Sequence, residues 1–225
     1  MPQTDYKKLD EMSAESSKST GTSRARSVAV VGLSIAIIAV CTWVTIPMGP
    51  IPFTLQMFAI PLIVCILRPS ESIAAIAGYL VLGAVGLPLF SGMRGGIGVI
   101  MGPTGGFLLG YLPGVILAAL FLYITMPVAD KYCAKRMEQA QADQLRPSAW
   151  QRIRANLLGC TFQLVAGIIF TFVSYVTGWA QFMLVASVGP EAAFAACVAP
   201  FILLDAIKLI AAVVVAQPIR LAISR

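Results

Sequence analysis

Asp205 and Lys208 stand three residues apart inside "PFILLDAIKLIAAVVVAQP", residues 200–218, a stretch otherwise apolar enough to cross a bilayer. On a helix this spacing separates them by about 60° around the axis, so they share a face. Placing either charge in hydrocarbon costs about 2.5–3.5 kcal/mol on insertion scales. Two arrangements would keep them there. The pair can neutralise itself near the helix end, with the lysine stem snorkelling to water. Alternatively, it forms the polar floor of a ligand cavity, where intramembrane ions usually do their work. In that case the carboxylate accepts N–H bonds from the ligand, and the ammonium pairs with a ligand carboxylate or holds the aspartate in place. With a helix starting near Pro200, Asp205 lies five residues in, or roughly 7.5 Å below the helix end.

A second group of residues is suited to covering such a floor. "GLPLFSGMRGGIGVIMGPTGGFLLGY", residues 86–111, holds too many glycines for a helix interior. It also carries Ile97, Val99, Ile100 and Met101, which a plain hydrophilic linker would not. An apolar, glycine-rich segment of this length predicts a lid that folds over a binding site. Thr104 is placed to cap the helix that follows. Arg94 is either a solvated loop residue or a ligand contact. Gln56, in "IPFTLQ" at residues 51–56, offers a donor and an acceptor, either to a ligand or to a neighbouring helix.

These residues need a membrane scaffold to position them. Hydrophobic residues make up 58% of the 225-residue chain and charged residues 12%, with a mean hydropathy of +0.86. A soluble domain is nearer one quarter charged. The expected architecture is an all-α membrane protein, a compact bundle of six transmembrane helices at about 28–46, 51–67, 72–90, 105–127, 156–177 and 193–219. Pro61 should kink the short second helix, and residues 192–199 should lead into the last. Residues 1–27 are expected to be a disordered polar cytoplasmic tail, and 28–225 one membrane domain with a cytoplasmic connector at about 130–155. In that connector a break at Pro147 should precede a short amphipathic helix capped by Ser148. Placing both termini in the cytoplasm puts fourteen of the sixteen basic residues inside, leaving Arg94 in an outer loop and Lys208 within a helix. This asymmetry accounts for a pI near 9.2 without nucleic acid.

Several chemistries lose their basis. The chain has no histidine, and its five cysteines form no C-x-x-C pair. Zinc chemistry, a Ser-His-Asp triad and a histidine proton relay are therefore not expected, nor is any cofactor. The chain carries no P-loop motif, so uphill work would need another protein's ATP hydrolysis. On the first helix, Ala25, Ala29, Gly32 and Ala36 form a smooth stripe that serves either internal packing or a partner subunit.

With "IPFTLQ", "GLPLF", "GPTGGFLLGY" and the terminal D-x-x-K pair in this order, the chain resembles BioY, the biotin-binding substrate-capture component of energy-coupling factor transporters. The resemblance runs over about residues 28–220. It implies a non-enzymatic role, high-affinity biotin binding and uptake across a bacterial or archaeal cytoplasmic membrane. A different vitamin or a stand-alone facilitator is the alternative. The implied partners are a coupling membrane subunit, docked on the Ala25–Ala36 stripe, and ATP-binding-cassette ATPases. The implied ligand contacts are Asp205, Lys208, Arg94 and the 102–107 segment with Gly102, Thr104, Gly105, Gly106 and Phe107; Gln56, Phe53, Gly95, Gly96 and Tyr111 complete the expected contacts. Some relatives have asparagine where Arg94 stands and arginine where Leu108 stands, so the charge meeting the biotin carboxylate is hypothesised to have moved between these two positions.

Overall fold

The computed structural model describes residues 24–142 and 149–223. The expected break at Pro147 and cap at Ser148, and nearly all of the expected polar tail, lie outside these residues. In chain order the elements are helix α1 (Arg24–Trp43), strands β1 (Thr45–Ile46) and β2 (Phe53–Thr54), and helices α2 (Gln56–Ile66), α3 (Pro69–Val85), α4 (Ile97–Ile100), α5 (Gly105–Ala142), α6 (Ala149–Ala186), α7 (Pro190–Cys197) and α8 (Ile202–Ile223). Within the described residues α1, α5, α6 and α8 are long and apolar enough to cross a membrane; α2 and α3 are shorter apolar helices.

The segment expected to form the second span does not begin as a helix. Residues 45–54 form a short antiparallel hairpin pairing Thr45 with Thr54 and Ile46 with Phe53. Pro47, Pro50 and Pro52 explain the difference: each lacks an N–H donor and pushes the preceding residue toward extended backbone. Helix α2 therefore starts at Gln56 and has only 11 residues, about 16 Å at 1.5 Å per residue. It runs through the centre of the bundle, with Gln56, Met57, Ala59, Ile60, Pro61, Ile63, Val64 and Cys65 all buried. A helix apolar on every side belongs there.

Other boundaries shift in ways local chemistry explains. α1 starts at Arg24, inside the segment expected to be tail. α3 starts at Pro69, a favourable first helical position, and Glu71 closes a capping box with Arg68. α5 and α6 each run 38 residues, so Ala149 onward is the start of one long helix and not a separate amphipathic piece. The expected last span is divided into α7 and α8, and Pro200 lies in the turn between them.

α5 and α6 approach closely along glycines at four-residue spacing. A side chain at Gly106 would meet the Thr177 carbonyl and Gln181, one at Gly110 would meet Thr177 and Ser174, and one at Gly114 would meet Phe170. This is the small-xxx-small geometry of membrane helix pairs, in which van der Waals packing replaces the hydrophobic drive. The stripe on α1 behaves differently. Ala25, Ala29, Gly32 and Ala36 are all exposed, and nothing lies within 4 Å of a side chain built at Gly32. Internal packing does not account for it.

The two stripes separate in one experiment. Gly110→Val should destabilise the detergent-solubilised chain by about 3 kcal/mol through overpacking, whereas Gly32→Val should leave its unfolding midpoint unchanged.

Candidate functional site

The first turns of α8 set the floor of a cavity of about 340 Å³ at the end of the bundle where α5 and α8 begin. The Lys208 Nζ donates to Asp205 Oδ1 at 2.7 Å and to the Thr54 carbonyl at 2.7 Å, while the Tyr175 hydroxyl donates to Asp205 Oδ2 at 2.6 Å. The ammonium also lies 3.5 Å from the centroid of the Phe53 ring. Asp205 is 5% exposed and Lys208 8%, so neither charge faces lipid and the lysine does not snorkel. In this arrangement the hairpin closes the cavity from one side and is tied down by the lysine that holds the aspartate. Asp205 retains lone pairs toward the cavity, because a carboxylate offers about four acceptor sites and two are taken.

Behind the floor, the first residue of α2 is set in a buried polar network. Gln56 Nε2 donates to the Tyr79 hydroxyl at 2.6 Å, and its Oε1 accepts from Tyr111 at 3.3 Å and Thr54 at 3.2 Å. Tyr79 in turn donates to the Leu89 carbonyl at 2.9 Å. Gln56 borders the cavity, yet its amide is largely engaged by the protein. Helix-to-helix bonding is its observed use. Apolar walls come from Ile51, Met57, Phe90, Phe107, Leu108, Cys197 and Phe201.

The glycine-rich segment forms the other wall. Phe90 and Arg94 exchange backbone hydrogen bonds of 2.9 and 3.3 Å across a tight turn in which Gly92 has φ 71° and Met93 φ 56°. This turn carries Arg94 onto the cavity, where its side chain makes no hydrogen bond or ion pair among the described residues. Farther along, the Gln181 amide donates to the Ile100 and Gly102 carbonyls at 2.7 and 2.9 Å, fixing the segment to α6. Only glycine fits at 105, where a side chain would meet the Ile100 carbonyl and that same amide.

The sequence-predicted contacts therefore divide. Asp205, Lys208, Arg94, Gln56, Thr104, Phe107 and Tyr111 line the cavity. Gly95, Gly96, Gly102, Gly105 and Gly106 do not; their places are in loop closure and helix packing. Phe53 also stands off the lining and lies beneath the ammonium. Sequence reasoning missed Tyr175, Phe90, Phe201 and the proline-rich hairpin. Tyr175 carried a usable signal, a polar tip deep in an apolar helix. No group of three or more potential metal ligands occurs among the described residues.

These features define a helical membrane protein with a cavity of small-molecule size, floored by a buried ion pair and bordered by a guanidinium unpaired among the described residues. Residues 12–225 match the model of the BioY family, and the chain belongs to that family. A Thermotoga maritima protein named biotin transporter BioY is 44% identical over 89 residues, 40% of this chain and 53% of that one. Biotin transporter BioY2 of Lactococcus lactis subsp. cremoris is 46% identical over 86 residues, 38% and 47% of the two chains. The chain thus spans about half the length of these two relatives. The fold is also that of a crystal structure described as the S-component for biotin from an ECF-type ABC transporter, with a TM-score of 0.67 and 21% identity over 88% of this chain and 93% of that one.

Removing the ammonium should leave Asp205 as a buried, uncompensated charge. Lys208→Met is expected to destabilise the protein by about 3–5 kcal/mol. Adding Asp205→Asn should recover part of that loss, which denaturant unfolding of both variants will measure.

Proposed function

We propose that the chain captures biotin at the external face of a prokaryotic cytoplasmic membrane as the substrate-specific component of an energy-coupling factor transporter. The observation that carries this reading is the distribution of polar groups around one apolar cavity: a carboxylate floor with spare acceptor sites and, on the glycine-rich wall, a guanidinium with no partner among the described residues. Biotin has the complementary pattern. Its ureido ring presents two N–H donors to Asp205, its thiolane packs among the apolar walls, and its valerate carboxylate pairs with Arg94. Lys208 is reserved for Asp205 and the Thr54 carbonyl. Leu108 borders the same cavity as Arg94, which supports exchange of the guanidinium between these two positions among relatives.

The basic residues support an orientation with both termini in the cytoplasm and the cavity outward. That orientation requires an even number of crossings, and we count six, with α2 and α3 as the short ones. Energy comes from partner ATPases through a coupling membrane subunit, which docks on the exposed Ala25, Ala29, Gly32 and Ala36 face of α1.

Calorimetric titration with biotin tests the core of this reading. Binding should be tight, and Asp205→Asn should weaken it by more than about tenfold, or 1.4 kcal/mol. Arg94→Ala should weaken biotin while leaving biotin methyl ester unchanged. Absence of heat with biotin, together with binding of another vitamin, would reassign the ligand. Ala29→Trp is expected to preserve biotin binding and abolish uptake in cells that contain the coupling module. Uptake by the reconstituted chain alone would point instead to a facilitator.

A further inference from the structure

A second cavity, of about 250 Å³, lies toward the opposite end of the bundle between α2, α5 and α8. Its walls are largely apolar, with Val64, Ile66, Leu122 and Met126 among them. Two ionisable side chains of opposite sign also line it, Asp130 on α5 and Arg220 on α8. They are not joined to each other: the sole ion pair among the described residues is that between Lys208 and Asp205. Asp130 makes no hydrogen bond among the described residues, and Arg220 makes one, a long contact of 3.5 Å from Nη1 to the Met126 sulfur. The neighbouring charges Arg68 and Lys131 do not line the cavity.

The depth of this cavity identifies its solvent. Asp130 lies 25 residues beyond the start of α5 at Gly105, about 37 Å along the axis at 1.5 Å per residue. Arg220 lies 18 residues beyond the start of α8 at Ile202, about 27 Å along. A hydrocarbon core is about 30 Å thick, so both groups fall near the membrane–water interface opposite the ligand cavity. The apolar walls extend from that level toward the bilayer centre.

We propose that this cavity holds a phospholipid with an ethanolamine headgroup. The Arg220 fork matches a phosphate, Asp130 accepts from a primary ammonium with three donors, and an acyl chain fills the apolar part. The presence of both charges in one cavity selects the headgroup. A guanidinium alone would favour any phospholipid; a carboxylate lining the same cavity gains no charge attraction from a glycerol headgroup and no hydrogen bond from trimethylammonium, which has no N–H.

The test is lipid retention by the full chain, purified in detergent and exposed to equal mixtures of dioleoyl phosphatidylethanolamine, phosphatidylcholine and phosphatidylglycerol, read by native mass spectrometry. The expected result is one retained lipid, with phosphatidylethanolamine enriched at least fivefold over the other two. Asp130→Asn should erase that enrichment while keeping total retention. Arg220→Gln should lower retention of all three. Equal retention of the three headgroups by the unaltered chain overturns the proposal, whatever the variants do. Equal retention combined with loss of assembly with the ATPase module in Asp130→Asn would overturn it in favour of a protein contact.

Discussion

The buried pair between Asp205 and Lys208 governs the cavity end of this molecule. Neither ion could remain alone in an apolar surround, because uncompensated desolvation costs several kcal/mol per charge. Together they impose conditions on everything around them. The carboxylate requires the Tyr175 hydroxyl from α6, and the ammonium requires a backbone acceptor, which the hairpin supplies at Thr54. One ion pair thereby ties together α6, α8 and the hairpin. It also leaves acceptor capacity directed into the cavity, so that a stability problem and a candidate binding site coincide at the same place.

Close packing elsewhere makes room for that site. Glycines 106, 110 and 114 draw α5 against α6 so tightly that Tyr175 and Gln181, both on α6, reach the floor and the loop above it. The short α2 leaves the bundle incomplete at the cavity end, and its first residue, Gln56, is held by Tyr79, Tyr111 and Thr54. The cavity is thus the space that an 11-residue helix does not fill. Prolines in the preceding segment keep that helix from extending into it.

Much of this organisation was legible in the chain. The D-x-x-K spacing predicted two charges on one face, which holds; the glycines between 86 and 106 suggested a lid over a binding site, and the segment stands as one wall of the cavity. Less legible were the uses of individual residues. Gly95, Gly102 and Gly105 look like ligand-binding backbone in a linear reading, but serve turns and close approach. Strand β2 was read as helix because "IPFTLQMFAIPLIVCIL" is apolar apart from Thr54 and Gln56, and hydropathy does not distinguish a buried strand from the helix it feeds. Tyr175 was passed over because its importance depends on a residue thirty positions away.

The sequence by itself determined the solvent of this protein, the character of its segments and the presence of two ions that needed a protected place. Composition, local periodicity and the energetic penalty of charge in hydrocarbon are properties of residues and their near neighbours. Tertiary structure alone decided which polar groups were consumed within the protein and which were left facing a cavity. Hydrogen-bond capacity is finite, and whether Lys208 or Arg94 is free for a guest depends on which carbonyls and carboxylates distant segments bring within about 3 Å.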